Sequence, residues 1–222
     1  MSPIKNAVIA AAGLGSRLGL DLPKCLAPFG KKRLIDYQLE RLNAVENVIM
    51  IVGFKEKEVI DYVKSIRRDV IFVRNPDYSK TTIIHSLYLA SLLLKGQHFL
   101  TLDADLYLEK KSFMQFMDYC SGTNGCVIGV TRTHSENPVF THSDMDGMLT
   151  YFSRSQRSDF EFSGIVFWKN INLDLHSAKQ EFVYQILEDH LPIQSCKIES
   201  IEIDTPNDYE RALNACKNLS LC

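Results

Sequence analysis

The chain has 222 residues, 45% hydrophobic and 23% charged, with 25 basic against 27 acidic side chains. That composition supplies a full apolar core and excludes a disordered chain, while the near balance of charge leaves no footprint for nucleic acid or an anionic membrane. Cys25, Cys120, Cys126, Cys196, Cys216 and Cys222 lack any C-x-x-C spacing, and neither a leader pattern nor an apolar run near 18 residues is present, so the expectation is a cytoplasmic protein with reduced thiols and no membrane insertion.

In chain order, residues 7–12 lack polar alternation and read as a strand buried on both faces. It opens into Ala11-Ala12-Gly13-Leu14-Gly15-Ser16-Arg17, with Pro23-Lys24 beyond. The glycines permit close backbone approach, successive N–H groups can form an anion cradle, and Arg17 and Lys24 add full positive charge. A dinucleotide-binding turn fits poorly, because Pro23 interrupts the following helix and Val52-Gly53-Phe54 ends the second strand without a carboxylate. A Walker A loop lacks its G-K-[ST]. An ordinary strand-to-loop turn accounts for the glycines but not for the two cations.

Ile35, Leu39 and Leu42 repeat at helical spacing, and a strand follows at 48–52. Val59, Val63 and Ile66 predict the next helix, and 70–73 a strand. Ile83, Leu87, Ala90 and Leu94 mark a third helix, 99–102 a fourth strand, 112–119 a helix and 126–130 a fifth strand. This alternation predicts an α/β fold: a three-layer, Rossmann-like mixed sheet, mostly parallel, with ligands beyond the carboxyl ends of its strands. After 130 the pattern changes. Segments 139–141 and 148–152 flank a turn-forming run and predict an inserted β-hairpin lid. Then come a strand at 164–168, a helix over about 181–191 and a strand at 199–203. Thr205 as N-cap with Pro206 and Asp208 behind it opens the last helix. One domain over 1–222 is expected, nucleotide-binding to about 130 and acceptor-binding over about 131–222.

Asp103-Ala104-Asp105 ends the fourth strand, and the period of two puts both carboxylates on one face. Two such carboxylates beside a phosphate loop call for a cation, and Mg²⁺ takes one or two carboxylates plus phosphate oxygens. Asp103 either supports the ligands from behind or simply ends the strand. From spacing alone, Asp204 reads as a carboxylate stabilising the last helix's N-terminus. Asn75, Thr82 and Ser86 stand as polar groups near the start of the third helix, where a nucleobase could exchange hydrogen bonds, although capping explains Thr82 equally well.

These motifs resemble the nucleotidyltransferases that join an NTP to a phosphorylated small molecule. Asn75-x-x-Tyr78, Ser86-Leu87-Tyr88-Leu89, Asp103-Ala104-Asp105-x-Tyr107-Leu108, Ser163-Gly164-Ile165-Val166-Phe167-Trp168 and Ile203-Asp204 are together similar to the bacterial CTP:phosphocholine cytidylyltransferases. The resemblance implies that residues 11–16 wrap the triphosphate, that Arg17 and Lys24 are catalytic cations, and that Asp105 and Asp204 hold Mg²⁺. It implies attack by an acceptor phosphate or phosphonate on the α-phosphorus of CTP, with loss of pyrophosphate. Asn75, Thr82, Ser86 and Asp103 fall on the nucleotide side. For the acceptor, Glu161, Ser163, Tyr107 and Glu181 offer carboxylate, hydroxyl and aromatic groups suited to a small amine or ammonium. The match in this region is partial, so a sugar- or polyol-phosphate acceptor stands as the alternative. A non-catalytic nucleotide-sensing subunit is the alternative of another class, disfavoured because Arg17, Lys24, Asp105 and Asp204 are all present. Oligomeric state is not legible.

Overall fold

A computed structural model describes residues 4–13, 21–94, 96–170, 175 and 180–218. A nine-stranded mixed sheet organises it. Its parallel half comprises β1 (Asn6–Ala11), β4 (Asn47–Val52), β5 (Ile71–Arg74) and β6 (Phe99–Asp103), in the order β5-β4-β1-β6. The sheet continues through β11 (Phe160–Trp168), β8 (Val127–Arg132), β12 (Ile193–Lys197), β10 (Met148–Ser153) and β9 (Phe140–Ser143). β11 runs antiparallel to both β6 and β8, while β12 is parallel to β8. Two ribbons flank the sheet: β2 (Pro28–Phe29) with β3 (Lys32–Arg33), and β7 (Leu106–Leu108) with β13 (Ser200–Glu202).

The three layers follow from the pleat. Ala7, Ile9 and Ala11 of β1 face a core shared with α1 (Leu34–Arg41), α2 (Glu56–Ile66) and α4 (Lys110–Gly122), whereas Val8 faces α3 (Ile83–Leu94) and α5 (Val183–Glu188). Both faces of the central strands are therefore covered, which is why they read as continuous apolar runs. A third cluster packs Phe29, Tyr37 and Tyr107 against Ile203 and Ala212, seating α6 (Pro206–Asn218). The predicted start of that helix is present as a reciprocal pair: Asp208 N–H donates to Thr205 Oγ1 (3.2 Å) and Thr205 N–H to Asp208 Oδ2 (3.0 Å).

Several boundaries differ from the sequence reading. α5 spans only Val183–Glu188, because the chain must turn into β12, a strand the sequence reading lacks. Apart from Ile193, β12 is no more than half-buried and shows no alternation to read. The hairpin β9–β10 forms the outer edge of the main sheet, paired to β12 and touching β11. Cys25, Cys120, Cys126 and Cys196 are free thiols, but Cys216 is disulfide-bonded, contrary to the expectation of reduced cysteines throughout. Among the described residues, no helix is long and apolar enough to cross a membrane.

Candidate active site

The carboxyl ends of β1 and β6 meet side by side, with Ala10 in register with Asp103 and Ala104 N–H donating to Ala10 O at 3.2 Å. Beyond them lies a cleft of about 420 Å³ lined by Ala10, Ala12, Gly13, Tyr78, Thr81, Thr82, Ile83, Ser86, Asp103, Asp105, Glu181, Phe182 and Glu202. Of the predicted phosphate loop, Ala11, Ala12 and Gly13 lead into this cleft. Leu14, Gly15, Ser16 and Arg17 lie outside the described residues.

The acidic floor comes from two crossing segments. β6 ends at Asp103 and turns through Asp105 into β7, which pairs with β13; Ile203 N–H donates to Asp105 O at 2.9 Å. That pairing carries Glu202 and Asp204 to Asp105, and ligand oxygens of Asp105, Glu202 and Asp204 lie within 4.8 Å of one another. Gln38, buried in α1, holds the turn from below: its Nε2 donates to the carbonyls of Asp103 (2.9 Å) and Leu106 (2.8 Å). Arg41, one turn on, donates to Leu108 O at 3.2 Å. On the other side Gly164 (φ +76°) sits in the irregular stretch of β11, where an added Cβ would stand 2.8 Å from Asp103 Oδ2. A side chain there would be strained and would crowd the carboxylate.

Lys24, on a single 3₁₀ turn (Lys24–Leu26), reaches into the same place. Its Nζ donates to Asp105 Oδ2 at 2.8 Å and also to Asp204 Oδ1. Burial opposes the ammonium charge, but the two carboxylates more than offset that and raise the lysine above its ordinary range. Asp103 is pushed up to about 8, first by desolvation at the base of the cleft and then by the charge of Asp105. Glu202 also moves upward, from desolvation first and then the charges of Asp105, Asp204 and Asp103; solvent reaching its exposed side chain moderates the effect. Crowded hard oxygen donors whose charges repel one another fit Mg²⁺, and Asp105, Glu202 and Asp204 are the residues that would hold it.

At the opposite end, Asn75 is buried and internally satisfied. Its Nδ2 donates to Thr81 Oγ1 (2.9 Å) and Ser86 Oγ (3.0 Å), and its Oδ1 accepts from Asp77 N–H (3.1 Å). It shapes the 75–82 turn, and Thr82 and Ser86 line the cleft beside it. Ser86 Oγ accepts from Asn75 and keeps both a proton and a second lone pair for the cleft. Tyr78 closes this end by packing on Gly53, where a Cβ would meet Tyr78 Cβ at 2.6 Å.

The expected acceptor residues are not brought together. Tyr107 is buried among Phe29 and Tyr37 in the third core cluster, on the far side of β7. Glu161 is 3% exposed and its carboxylate ties down the segment after β8: it accepts from His134 N–H (3.1 Å), Ser135 N–H (3.2 Å) and Ser135 Oγ (2.5 Å). Ser163 is buried against Gly129, with no hydrogen-bond partner for its hydroxyl among the described residues. Glu181 does line the cleft, beside the half-exposed Phe182. Phe182 and Tyr184 stack with ring centroids 5.9 Å apart, and the Arg154 guanidinium stands 5.7 and 5.3 Å from the two rings. Phe182 was read from the sequence as an aromatic of the acceptor lid, whereas Glu202 is absent from the sequence reading of the site. Glu202's signal was its place two residues before Asp204, on the same face of an extended segment.

A glycine-led turn, a lysine and crossed carboxylates at the carboxyl ends of a Rossmann-like sheet define the nucleotidyltransferase fold. A profile for the MobA-like NTP transferase domain matches residues 7–160, and the chain belongs to that family. Among curated relatives, the bifunctional protein GlmU of Methanococcus vannielii is 26% identical over 199 residues, 87% of this chain and 45% of the relative. The CTP:phosphoglutamine cytidylyltransferase of Campylobacter jejuni is 32% identical over 90 residues, 38% of this chain and 35% of the relative. The chain thus spans less than half the length of these relatives. Among solved structures, the CTP:phosphocholine cytidylyltransferase from Streptococcus pneumoniae (LicC) aligns with a TM-score of 0.78 at 27% identity, over 96% of this chain and 99% of that one. An inositol-1-phosphate CTP transferase from T. maritima, with a TM-score of 0.75 at 17% identity, shares the fold.

Proposed function

We propose that this chain is a Mg²⁺-dependent cytidylyltransferase that transfers CMP from CTP to the phosphate or phosphonate of a small molecule and releases pyrophosphate. The observation that carries the reading is Lys24 seated among Asp105, Asp204 and Glu202 at the mouth of the cleft. End-to-end likeness to LicC and the local match to a second cytidylyltransferase support the choice of CTP. The nucleotide occupies the part of the domain up to about residue 130, and the acceptor the part from about 131 to 222.

An acceptor phosphate has its second pKa near about 6, so it arrives as an anion and needs no general base. The chain's work is positioning and charge neutralisation. Lys24 stabilises charge on the α-phosphate and the departing pyrophosphate, and Arg17 is assigned the same task from the sequence. Mg²⁺ held by Asp105, Asp204 and Glu202 supplies further neutralisation of the reacting phosphates. Gln38 keeps Asp105 in place without touching substrate. The exposed pair Glu181 and Phe182 offers a carboxylate and an aromatic face to an amine or ammonium on the acceptor, where each cation–π contact is worth about 0.5–2 kcal/mol. A sugar- or polyol-phosphate acceptor is the second reading, favoured by the burial of Tyr107, Glu161 and Ser163, which leaves Glu181 and Phe182 to form the cationic pocket without them.

The test is pyrophosphate release from four NTPs against phosphocholine, phosphoethanolamine, aminoethylphosphonate and several sugar or polyol phosphates. CTP with an aminated acceptor is the expected pair. Equal rates with ATP would remove the base assignment, and turnover confined to uncharged acceptors would remove the cationic pocket. Phe182→Ala should raise KM for the acceptor and leave that for CTP unchanged.

A further inference from the structure

We infer that Lys24 is an internal counter-cation competing with the divalent metal for Asp105 and Asp204, so that loading the metal and releasing Lys24 are one event. The inference rests on the proposed reading of these carboxylates as the metal site. Lys24 Nζ bridges the two carboxylates, at 2.8 Å from Asp105 Oδ2 and bonded to Asp204 Oδ1, and its side chain is only 15% exposed. Glu202 stands in the same group, with its ligand oxygen within 4.8 Å of the other two. The ammonium thus engages one oxygen on each of two residues that a divalent cation would draw on and adds a positive charge at contact distance, and a short 3₁₀ turn limits how far the lysine backbone can retreat.

The consequence runs against the ordinary effect of deleting an active-site residue. Freeing Lys24 from both carboxylates takes a buried charge away from its partners, so metal alone has to displace an ion pair and binds weakly. A nucleoside triphosphate removes that penalty, because its phosphates give the released ammonium a new anion. Metal and nucleotide are therefore expected to bind cooperatively, with Lys24 passing from carboxylates to phosphate.

The experiment measures Mn²⁺ and Mg²⁺ affinity of the full chain without nucleotide, by calorimetry and electron paramagnetic resonance. Lys24→Met should bind the metal at least about tenfold more tightly, since removing one cation at contact distance changes the local potential by that order or more. Lys55→Met is the control: Lys55 pairs with Asp21 at 2.9 Å, away from the cluster, and its loss should leave metal affinity unchanged. If Lys24→Met does not fold, Lys24→Gln serves, and a structure of the unaltered chain with Mn²⁺ gives an independent answer. There, Lys24 Nζ should lie beyond the roughly 4 Å ion-pair limit from at least one of the two carboxylates. Equal or weaker metal binding by the Lys24 variants, equal tightening by Lys55→Met, or a Lys24 that keeps both carboxylates with Mn²⁺ bound would overturn the inference. Asp105→Asn separates this failure from failure of the functional reading. If it leaves metal affinity untouched, the metal assignment itself is wrong; if it weakens binding while Lys24→Met does not strengthen it, only the competition is wrong.

Discussion

Replacing Gln38 by leucine removes the brace under the metal-binding turn while keeping the side chain's approximate volume. Gln38 Nε2 makes two hydrogen bonds, 2.9 Å to Asp103 O and 2.8 Å to Leu106 O, and the residue is 1% exposed. Leaving a buried acceptor unsatisfied costs about 1–3 kcal/mol, and the substitution deprives two carbonyls of this donor. One opposing term exists: Gln38 Oε1 is itself buried without a partner among the described residues, so its removal returns about 1–3 kcal/mol. The net loss is about 2 kcal/mol, which for a chain of this size lowers Tm by about 4–8 °C. Because the turn carries Asp105, the Mg²⁺ concentration for half-maximal pyrophosphate release should rise as well, whereas KM for the acceptor should not. Gln38→Glu should be worse than leucine, since it sets a carboxylate against two carbonyl oxygens. The assays are calorimetric melting and a Mg²⁺ titration of turnover. A Tm within about 1 °C of the parent together with an unchanged Mg²⁺ requirement would refute the reasoning.

Other outcomes follow from the same site. Lys24→Ala should lower kcat by roughly 10²-fold or more, as loss of a positioned charge-stabilising group does, measured by pyrophosphate release at saturating CTP. Asp105→Ala should abolish Mg²⁺-dependent turnover with circular dichroism unchanged, and near-normal activity in Asp105→Asn would count against a ligand role. Glu161→Gln should act on stability: its buried carboxylate accepts from two N–H groups and a hydroxyl, so the amide costs about 1–3 kcal/mol and lowers Tm, with KM for both substrates little changed.

The central half of the fold was legible because its strands are covered on both faces and its helices carry single apolar stripes. Runs such as Val48-Ile49-Met50-Ile51-Val52 and the stripe of Leu87, Ala90 and Leu94 leave little choice. Asp105 and Lys24 were readable as candidate site residues because charge beside a strand end has few structural uses, and Asp204 became one only through the family resemblance, its spacing alone pointing to the last helix's N-terminus. Glu202 was not, since it reaches Asp105 only through the pairing of β7 with β13, a contact between segments about ninety residues apart. Glu161 and Tyr107 were misplaced for the opposite reason. A carboxylate and a phenol near a ligand-binding strand look available until the tertiary contacts are known, and here His134 and Ser135 engage one while Phe29 and Tyr37 enclose the other. Asn75 was assigned to the nucleotide from its place before the third helix, and the structure shows its amide engaged by Thr81 and Ser86.

The most direct test of the central claim follows the α-phosphorus itself. The full chain is incubated with Mg²⁺, an aminated phosphate or phosphonate acceptor and CTP radiolabelled at the α-phosphate, and the products are separated. Label should appear in a new CMP–acceptor conjugate with unlabelled pyrophosphate in equal amount, with neither product when Mg²⁺ is chelated and roughly 10²-fold slower formation of both when Lys24 is replaced by alanine. Label recovered only as free CMP, or no turnover of any NTP with any acceptor by a folded chain that binds Mn²⁺, would contradict it.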